Sequence, residues 1–390
     1  MLSGNGRRIL VHLEDTVTAT QQNGIWQPSS HIPALDGIRG LAILSVTIYR
    51  FGNESIHQGI TTGLMAKMIE AAESGVDLFF VLSGFLITGV LLDAKARPHF
   101  FRNFFIRRSL RIFPLYFASL AIFLFLVPLA FGSKQPFPEG YANQAYLWTY
   151  LTNIKISVSN SWCFGYLGHF WSLAVEEHFY LAWPMLVYLL SVKQVFQFSI
   201  LLAILSVLSR LVFSLCYENE AALLTFTAFR CEGLLFGGAI AARLRMGETS
   251  PAIRWGALCG LASFGLFSLA IAMNGERLPI SLHTFISLFC ASLLLLLLTA
   301  KRDSLLANSF ELSFLRLLGK YSYAMYVFQS PIIPVTANWI SLSILIKYIG
   351  NGQAASVSYV VIMFSITLLL AMISWYVLEK PILQLRPKSG

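Results

Sequence analysis

The stretch "LDGIRGLAILSVTIYRFG", residues 35–52, is apolar along most of its length but carries charge near both ends. Asp36 and Arg39 are spaced to pair on one helix face. Arg50 lies about 20° from Arg39 around a helix axis and about 16 Å further along it, so the two arginines share a face. A charge inside a bilayer costs at least roughly 2.5 kcal/mol and is a candidate for function. The stretch predicts a membrane helix whose charged face lines a polar passage; arginines that only reach the two membrane surfaces are the alternative.

The whole chain has the composition of a membrane protein. Of its 390 residues 56% are hydrophobic and 12% charged, whereas a soluble domain has about 25% charged residues. Apolar runs long enough to cross a bilayer recur along it. We predict an all-α membrane protein with about ten transmembrane helices around a central polar passage. The predicted spans are residues 35–52, 75–92, 112–131, 166–191, 197–216, 222–242, 254–273, 281–299, 321–340 and 356–378.

The distribution of basic residues predicts the orientation. Nineteen of the 28 Lys and Arg fall in loops and tails on the side of the amino terminus, and five fall in loops on the other side. By the positive-inside rule both termini are cytoplasmic. Residues 1–32 read as a polar cytoplasmic tail without a signal peptide, and 33–385 as one transmembrane domain. Residues 141–158 are too polar for a span and predict an outer loop or re-entrant turn. Because the basic residues are dispersed, no nucleic-acid partner is expected.

Carboxylates and histidines interrupt the fourth predicted span, "GHFWSLAVEEHFYLAWP". His169 and Glu176 are seven residues apart, which places them on one face of an α-helix. Glu176 and Glu177 are adjacent and cannot both face lipid, so at least one is expected to point into a cavity. These residues are candidates for general acid–base catalysis. An ion pair with Arg39, Arg210 or Arg230 is the structural alternative.

A cluster of arginines precedes the third span. In "PHFFRNFFIRRSLRIFPLYF", residues 98–117, phenylalanines recur at helical spacing beside Arg102, Arg107, Arg108 and Arg111. The pattern is typical of an amphipathic interfacial helix leading into a span. Arginines also bind phosphate through charge-assisted hydrogen bonds. Attraction to anionic lipid headgroups explains the same cluster without a substrate.

Small residues mark the second span, "GVDLFFVLSGFLITGVLL". In a membrane helix such residues usually permit close packing between helices. By spacing alone, Ser83 and Gly84 are therefore better interpreted as packing residues than as chemistry. The five cysteines lie mostly in apolar runs and are expected to pack rather than to form disulfides.

Seven stretches in order resemble the motifs of acyltransferase family 3, the integral membrane O-acyltransferases that act on carbohydrates. They run from about residue 33 to 382: "ALDGIRGLAIL", "GVDLFFVLSGFLITGVLL", "RRSLRIFPLY", "HFWSLAVEEHFYLAWP", "RCEGLLFGGAIA", "LGKYSYAMYVFQSPI" and "YVLEKP". The resemblance implies transfer of an acyl group, usually acetyl, from cytoplasmic acetyl-CoA to a saccharide hydroxyl. Typical acceptors are O-antigen, exopolysaccharide and peptidoglycan, and the location implied is a bacterial cytoplasmic membrane.

The resemblance also assigns roles to residues. Arg107, Arg108 and Arg111 would meet the phosphates of acyl-CoA, with Ser83 among the donor-binding candidates. The pantetheine arm would follow the charged face of the first span, whose length of about 16 Å matches its reach. Asp36, Arg39, Arg50, His169, Glu176 and Glu177 are the catalytic candidates. No metal site is expected.

One position departs from the family pattern. Where relatives carry a histidine taken to be the catalytic base, eleven residues after Arg39, this chain has Arg50; a second position that often holds histidine has Gln329. Arginine cannot accept a proton near neutral pH. Either the chain is inactive or impaired, which we favour, or His169, Glu176 or Glu177 is the base. The competing hypothesis is a non-catalytic transporter or flippase for a glycan or glycolipid.

Overall fold

The structure, a computed structural model, describes residues 32–131, 136–247, 282–301 and 304–385, with a few positions between 257 and 265. Every regular element of these residues is a helix, and none of them forms a strand. The predicted all-α class is therefore confirmed for this part of the chain. Residues 1–31 of the predicted tail, and most of the predicted span 254–273, lie outside the described residues.

Five helices make up the described chain as far as residue 131. They are α1 (Pro33–His57), α2 (Gly63–Ala71), α3 (Gly75–Ala94), α4 (Phe100–Ala121) and α5 (Val127–Phe131). A 3-10 turn joins α2 to α3, and a π-helical turn joins α4 to α5. Three short helices follow: α6 (Pro138–Ala142), α7 (Gln144–Trp148) and α8 (Thr152–Ser159). These short helices lie in and around residues 141–158, the segment predicted to be an outer loop or re-entrant turn.

The second half mixes long helices with short pieces. After a 3-10 turn, Gly165–Phe170, come α9 (Trp171–Leu189), α10 (Val192–Cys216), α11 (Glu220–Thr225), α12 (Thr227–Arg230) and α13 (Glu232–Arg245). Then follow α14 (Leu282–Thr299), α15 (Leu305–Phe310), α16 (Ser313–Phe328) and α17 (Ile332–Thr336). The described chain ends with α18 (Leu342–Ile349), α19 (Gly352–Ser374), a π-helical turn and α20 (Lys380–Leu383).

Among the described residues, four helical runs are long and apolar enough to cross a membrane: Gly63–Ala94, Phe100–Ala130, Val192–Cys216 and Gly352–Leu383. Each contains or largely overlaps a predicted span. A shorter apolar helix, His283–Thr299, coincides with another. On α10 large apolar side chains such as Leu208 and Leu211 are about half exposed, which suits a helix facing lipid. The count of ten spans and the cytoplasmic placement of both termini stay predictions.

Three predicted spans differ from the helices observed. The span 222–242 is broken into α11, α12 and α13, because the backbone becomes extended at Phe226. The span 321–340 is displaced: α16 ends at Phe328, where Pro331 disfavours helical geometry in the residue before it. The span 166–191 begins with a 3-10 turn, and its α-helix starts only at Trp171.

The cationic segment before the third span is not a separate interfacial helix. Residues 100–111 and the apolar residues after them form the single helix α4, and Pro114 lies inside it. The predicted amphipathic helix is thus the first half of a longer one. This continuity fixes the position of the arginines relative to the apolar half.

Glycines bring α3 and α13 into direct backbone contact. A Cβ atom on Gly84 would lie 1.8 Å from the carbonyl oxygen of Leu234, and one on Gly237 would lie 1.9 Å from that of Val81. No larger side chain fits at either position, so the two helix axes approach as closely as backbone atoms allow. The same pattern joins α1 to α16, where Gly319 meets the carbonyl oxygen of Asp36.

Two arginines inside predicted spans form buried ion pairs. The Nη1 atom of Arg210 lies 2.7 Å from Oε1 of Glu232, and Nη2 of Arg230 lies 2.9 Å from Oδ1 of Asp77. All four side chains are almost completely buried. Each charge is therefore compensated within the protein, as burial in a low-dielectric interior requires.

Candidate active site

A cavity of about 790 Å³ opens among α1, α3, α4, α9 and α16. Along α3 it extends from Val76 to Leu86, which corresponds to about 15 Å of helix. Apolar side chains form much of its wall. Its polar lining residues are Arg39, Ser83, Arg108, Arg111, Ser172, Glu176, Tyr180, Ser322, Tyr323 and Tyr326. The cavity thus brings four of the sequence-predicted arginine and carboxylate candidates together with Ser83.

Arg39 reaches this cavity from α1. Its Nη1 atom lies 3.5 Å from Oδ1 of Asp36, which is the pair that the spacing predicts. Asp36 does not line the cavity. It accompanies the arginine at the first turn of the helix and partly compensates its charge. Arg39 also interacts electrostatically with Arg108 and Glu176 across the cavity.

The arginine cluster of α4 divides between two environments. Arg108 and Arg111 line the cavity, whereas Arg107, one residue away, does not. The Arg108 guanidinium lies 4.6 Å from the centre of the Tyr180 ring, a distance typical of a cation–π contact. Arg39, Arg108 and Arg111 thus contribute three cationic side chains to one cavity, although α1 and α4 are far apart in sequence.

Ser83, Tyr180 and Glu176 form a hydrogen-bonded group in the wall. The hydroxyl groups of Ser83 and Tyr180 are hydrogen-bonded to each other, and the Glu176 carboxyl lies within hydrogen-bonding range of both. Ser83 therefore contributes to the cavity, contrary to the packing role that its spacing favours. Its neighbour Gly84 keeps the packing role. Successive residues of a helix point in directions about 100° apart, which separates the two.

At least one of the two adjacent glutamates was expected to point into a cavity, and one of them does. Glu176 lines the cavity and Glu177 does not. Glu177 interacts electrostatically with Arg108 and with Tyr150. Tyr150 lies outside the predicted spans, and burial raises the pKa of its phenol far above the ordinary value, so that it stays neutral. Arg210 and Arg230 are paired with other carboxylates. Of the three arginines proposed as partners for Glu176, Arg39 therefore remains the candidate.

His169 is not on one α-helical face with Glu176. It lies in the 3-10 turn before α9, so the seven-residue spacing does not follow an α-helix there. The ring is buried and outside the cavity. Its Nδ1 atom is 3.1 Å from the carbonyl oxygen of Tyr166, and its Nε2 atom has no hydrogen-bond partner among the described residues.

Arg50 and Gln329 lie beyond the cavity. Arg50 is half-buried near the end of α1 and interacts electrostatically with Glu73 and His169. Gln329 is fully buried, and its Oε1 atom accepts a hydrogen bond from Thr47 at 3.3 Å. The two positions at which the family resemblance leads us to expect histidine are thus occupied here by a cation and an amide. Neither lines the wall where Arg39 and Glu176 meet.

Sequence reasoning missed the tyrosines of the cavity. Tyr180, Tyr323 and Tyr326 all line it. The Tyr326 hydroxyl donates to the carbonyl oxygen of His169 at 2.8 Å and is hydrogen-bonded to Ser172 at 2.5 Å. Fifteen tyrosines spread along the chain give no periodic signal of their own. The sequence signal that could have identified the cavity tyrosines is their position within the "HFYLAWP" and "YSYAMYVF" motifs.

The arrangement suits an anionic ligand that also has an apolar part. Three guanidinium groups supply donors for phosphate or for a developing oxyanion. The phenylalanines and leucines of the same wall provide apolar surface. Glu176 is an acceptor at the wall, within reach of two hydroxyl groups. A cavity with convergent polar groups in an apolar wall is the usual form of a small-molecule site.

Comparison of the sequence with models of known protein families identifies the class of this protein. The family model described as an acyltransferase domain, acyltransferase family 3, matches residues 32–376. The match covers almost all of the chain, so the protein belongs to this family of acyltransferase domains. No solved structure gives a significant match.

Several curated proteins are similar over most of this chain. YrhL of Bacillus subtilis, provisionally named a peptidoglycan O-acetyltransferase, is 30% identical over 386 residues, covering 91% of this chain and 55% of its own. The O-acetyltransferase OatA of Staphylococcus aureus is 25% identical, covering 90% and 57%. The peptidoglycan O-acetyltransferase OatA of Listeria monocytogenes is 30% identical, covering 78% and 50%. The chain spans about half the length of these relatives.

Proposed function

We propose that this protein transfers an acetyl group from acetyl-CoA to a hydroxyl group of a cell-wall or exported saccharide. Family membership and the names of the relatives support O-acetyl transfer. The observation that carries the proposal is the cavity that combines Arg39, Arg108 and Arg111 with Glu176. It offers cationic groups for the donor and a carboxylate for proton transfer at one place.

The donor is acyl-CoA, and the arginines of α4 bind its phosphates. Arg108 and Arg111 face the cavity, and Arg107 adds positive charge beside them. The cavity length of about 15 Å along α3 accommodates a pantetheine arm that runs from these arginines towards Val76. Ser83 lies along this path. Under the predicted orientation the arginine end is cytoplasmic, where CoA is found.

Transfer requires that the acceptor hydroxyl lose a proton. The hydroxyl oxygen attacks the thioester carbonyl carbon, a C–O bond forms, the C–S bond breaks, and the CoA thiolate leaves and takes up a proton. Of the three carboxylate and histidine candidates, Glu176 alone lines the cavity. We assign the base role in this chain to Glu176. Arg39, opposite, stabilises the negative charge on the thioester oxygen.

Arg50 makes this protein a slow enzyme. A guanidinium group at the family's histidine position cannot accept the acceptor's proton. A positioned general base contributes about 10²–10⁴ in rate. Activity that relies on Glu176 instead is expected to be well below that of a relative with the histidine.

The test is transfer of radiolabelled acetyl from acetyl-CoA by the purified chain in vesicles of bacterial cytoplasmic-membrane lipid. The expected result is slow labelling of a peptidoglycan glycan or exported polysaccharide, with slow hydrolysis of acetyl-CoA when no acceptor is present. Glu176→Gln should abolish both. Glycan movement across the vesicle membrane without any use of acetyl-CoA would contradict the proposal and favour the transporter.

A further inference from the structure

Two lysines at one end of the helix bundle contact the same exposed aromatic ring. Lys320 is on α16, and Lys380 begins α20 directly after the π-helical turn Trp375–Glu379. The Nζ atom of Lys320 lies 5.8 Å from the centre of the Tyr376 ring, and the Nζ atom of Lys380 lies 5.6 Å from it. Distances below about 6 Å are typical of cation–π contacts. Two helices remote in sequence thus place two ammonium groups on one ring.

Two more rings fix the position of the Lys320 ammonium group. Its Nζ atom lies 5.0 Å from the centre of the Tyr321 ring and 5.4 Å from that of the Trp375 ring. These two rings pack edge to face, with their centres 6.2 Å apart. An aromatic face attracts a cation, whereas an ammonium group carries three N–H donors that need oxygen acceptors. The rings therefore position the cation and leave its donors available to an anion.

No carboxylate neutralises these cations in the part of the chain that the structure describes. Neither lysine forms an ion pair or a side-chain hydrogen bond with a described residue. Glu379, next to Lys380, is 8% exposed, and its Oε1 atom accepts from Ser374 at 3.2 Å, so it does not face the lysines. Arg316 is exposed one turn before Lys320 on the same face of α16 and adds a third positive charge. The patch has an excess of positive charge that an external anion would compensate.

An apolar track on α19 leads away from the lysines. Leu369, Ile373 and Val377 recur every four residues and are 50% to 73% exposed. At this spacing side chains lie above one another on nearly one face of a helix. The track is about 12 Å long, which is close to half the roughly 30 Å thickness of a bilayer's hydrocarbon core. A lipid acyl chain can lie along it while the headgroup stays beside the lysines.

The lysines lie where the sequence predicts the cytoplasmic membrane surface. Lys320 immediately precedes the predicted span 321–340, and Lys380 follows the predicted span 356–378. Tyrosine and tryptophan are enriched at such a surface, and the cytoplasmic leaflet is the one with a negative surface potential from anionic lipids. A phospholipid headgroup is therefore the anion that the patch meets in a membrane.

We propose that Lys320, Lys380 and Tyr376 form a binding site for the headgroup of one anionic phospholipid of the cytoplasmic leaflet, with an acyl chain along the apolar track of α19. The two ammonium groups bind the phosphate. A zwitterionic headgroup brings its own cation, which the lysines repel, so anionic lipid is preferred. None of these residues lines the cavity assigned to the donor, so lipid binding does not depend on acetyl transfer.

Native mass spectrometry of the full chain in detergent, titrated with phosphatidylglycerol or with phosphatidylcholine, tests the proposal. The unaltered chain should bind one phosphatidylglycerol molecule at least about tenfold more tightly than phosphatidylcholine. Lys320→Gln combined with Lys380→Gln should weaken phosphatidylglycerol binding about thirtyfold, the equivalent of roughly 2 kcal/mol. Lys320→Arg combined with Lys380→Arg should preserve it, because both positive charges are kept.

The matched control removes two other lysines. Lys193 and Lys301 are exposed, and neither has an aromatic contact among the described residues. Lys193→Gln combined with Lys301→Gln gives the same net charge as the first glutamine pair and should bind phosphatidylglycerol as the unaltered chain does. The Tm distinguishes loss of the site from misfolding. Phosphatidylglycerol should raise the Tm of the unaltered chain and of the control, and should not raise that of the Lys320 and Lys380 glutamine variant.

Equal phosphatidylglycerol affinity in the unaltered chain and the Lys320 and Lys380 glutamine variant would overturn the site. An equal loss of affinity in the control, or equal affinity of the unaltered chain for the two lipids, would do the same, because lysines that only reach the membrane surface would explain either result. Displacement of the bound lipid by soluble CoA would also contradict the proposal, since the patch would then bind free phosphate groups.

Discussion

Arg50 is the residue at which we expect this chain to depart from the pattern of its family. It lies on the same helix as Arg39, about three turns further along, and next to Glu73 and His169 instead of in the donor cavity. One of its nitrogen atoms, Nε, is buried and has no hydrogen-bond partner among the described residues. A cation at this point can hold an anionic group but cannot deprotonate a hydroxyl.

Replacing this residue tests its role. Arg50→His should raise acetyl transfer sharply, because an imidazole with a pKa near 6.5 can accept the acceptor's proton. The gain should approach the roughly 10²–10⁴-fold value of a positioned general base. Initial rates of acetyl transfer in vesicles provide the measurement. Arg50→Lys serves as the control and should give no gain. Substantial activity in the unaltered chain that falls in Arg50→His would show that Arg50 itself is required.

At the scale of single residues, the sequence identified the charged members of the site and Ser83, and missed its tyrosines. Arg39, Glu176 and Arg108 stand out because charge in an apolar helix is costly and rare. Tyr180 and Tyr326 do not, since tyrosine is common both in cores and at membrane surfaces. The seven-residue spacing of His169 and Glu176 implies a shared face only in a continuous α-helix, and His169 lies in a 3-10 turn.

The contact between α3 and α13 is the tightest helix packing that bears on the site. Gly84 is in backbone contact with Leu234, and Ser83, one residue earlier, points into the cavity. The close approach of α13 therefore fixes the rotation of α3 about its axis. That rotation determines which residues of α3 face the donor path.

A methyl group at this contact should be poorly tolerated. In Gly84→Ala the new Cβ would lie 1.8 Å from a backbone oxygen, which cannot move aside as a flexible side chain does. We expect a loss of about 1–3 kcal/mol in stability, seen as a lower Tm of the purified protein in detergent. Gly168→Ala is the matched control, because its Cβ would meet nothing closer than 3.7 Å. Equal Tm values for the two variants would contradict tight packing at Gly84.

At the scale of elements, apolar length predicted the long helices and failed where tertiary contacts interrupt them. Helices α1, α3, α10 and α19 cover their predicted spans almost completely. Hydropathy averages over a window and does not register an extended residue such as Phe226 or the helix stop before Pro331. Breaks of this kind are stabilised by neighbouring elements, so local composition does not predict them.

The whole molecule is organised by a charge asymmetry. Residues 93–111 carry six of the 28 Lys and Arg, whereas 132–165 carry two. From this asymmetry the positive-inside rule predicts that the arginine cluster lies at the cytoplasmic surface and the short helices α6 to α8 outside. In this predicted orientation the proposed donor cavity would be accessible to cytoplasmic CoA.

Cysteine labelling of intact cells tests the orientation. In a chain whose five native cysteines are replaced, Val158→Cys should react with a membrane-impermeant maleimide added outside. Arg97→Cys should react only after the membrane is permeabilised. Both side chains are exposed, so a lack of labelling reflects the side of the membrane and not burial. Labelling of position 97 from outside would show that the orientation is the reverse of the predicted one. The arginine cluster would then lie on the side of the membrane away from cytoplasmic CoA.

We propose that the cavity beside α4 binds acyl-CoA through its arginines. Arg108 and Arg111 line it, while Arg102, on the same helix, is exposed and does not. This difference provides a comparison within one helix and with one type of substitution. Attraction between the helix and anionic lipid would not distinguish the two sets.

The most direct test is the affinity for CoA of the purified protein in nanodiscs of neutral lipid, measured by calorimetry. The double variant Arg108→Gln with Arg111→Gln should bind at least about a hundredfold more weakly, because each lost charge-assisted contact to phosphate costs about 1.5–3 kcal/mol. Arg102→Gln should bind as the unaltered chain does. Unchanged CoA affinity in the double variant, or equal losses in the two proteins, would contradict the assignment of this cavity to the donor.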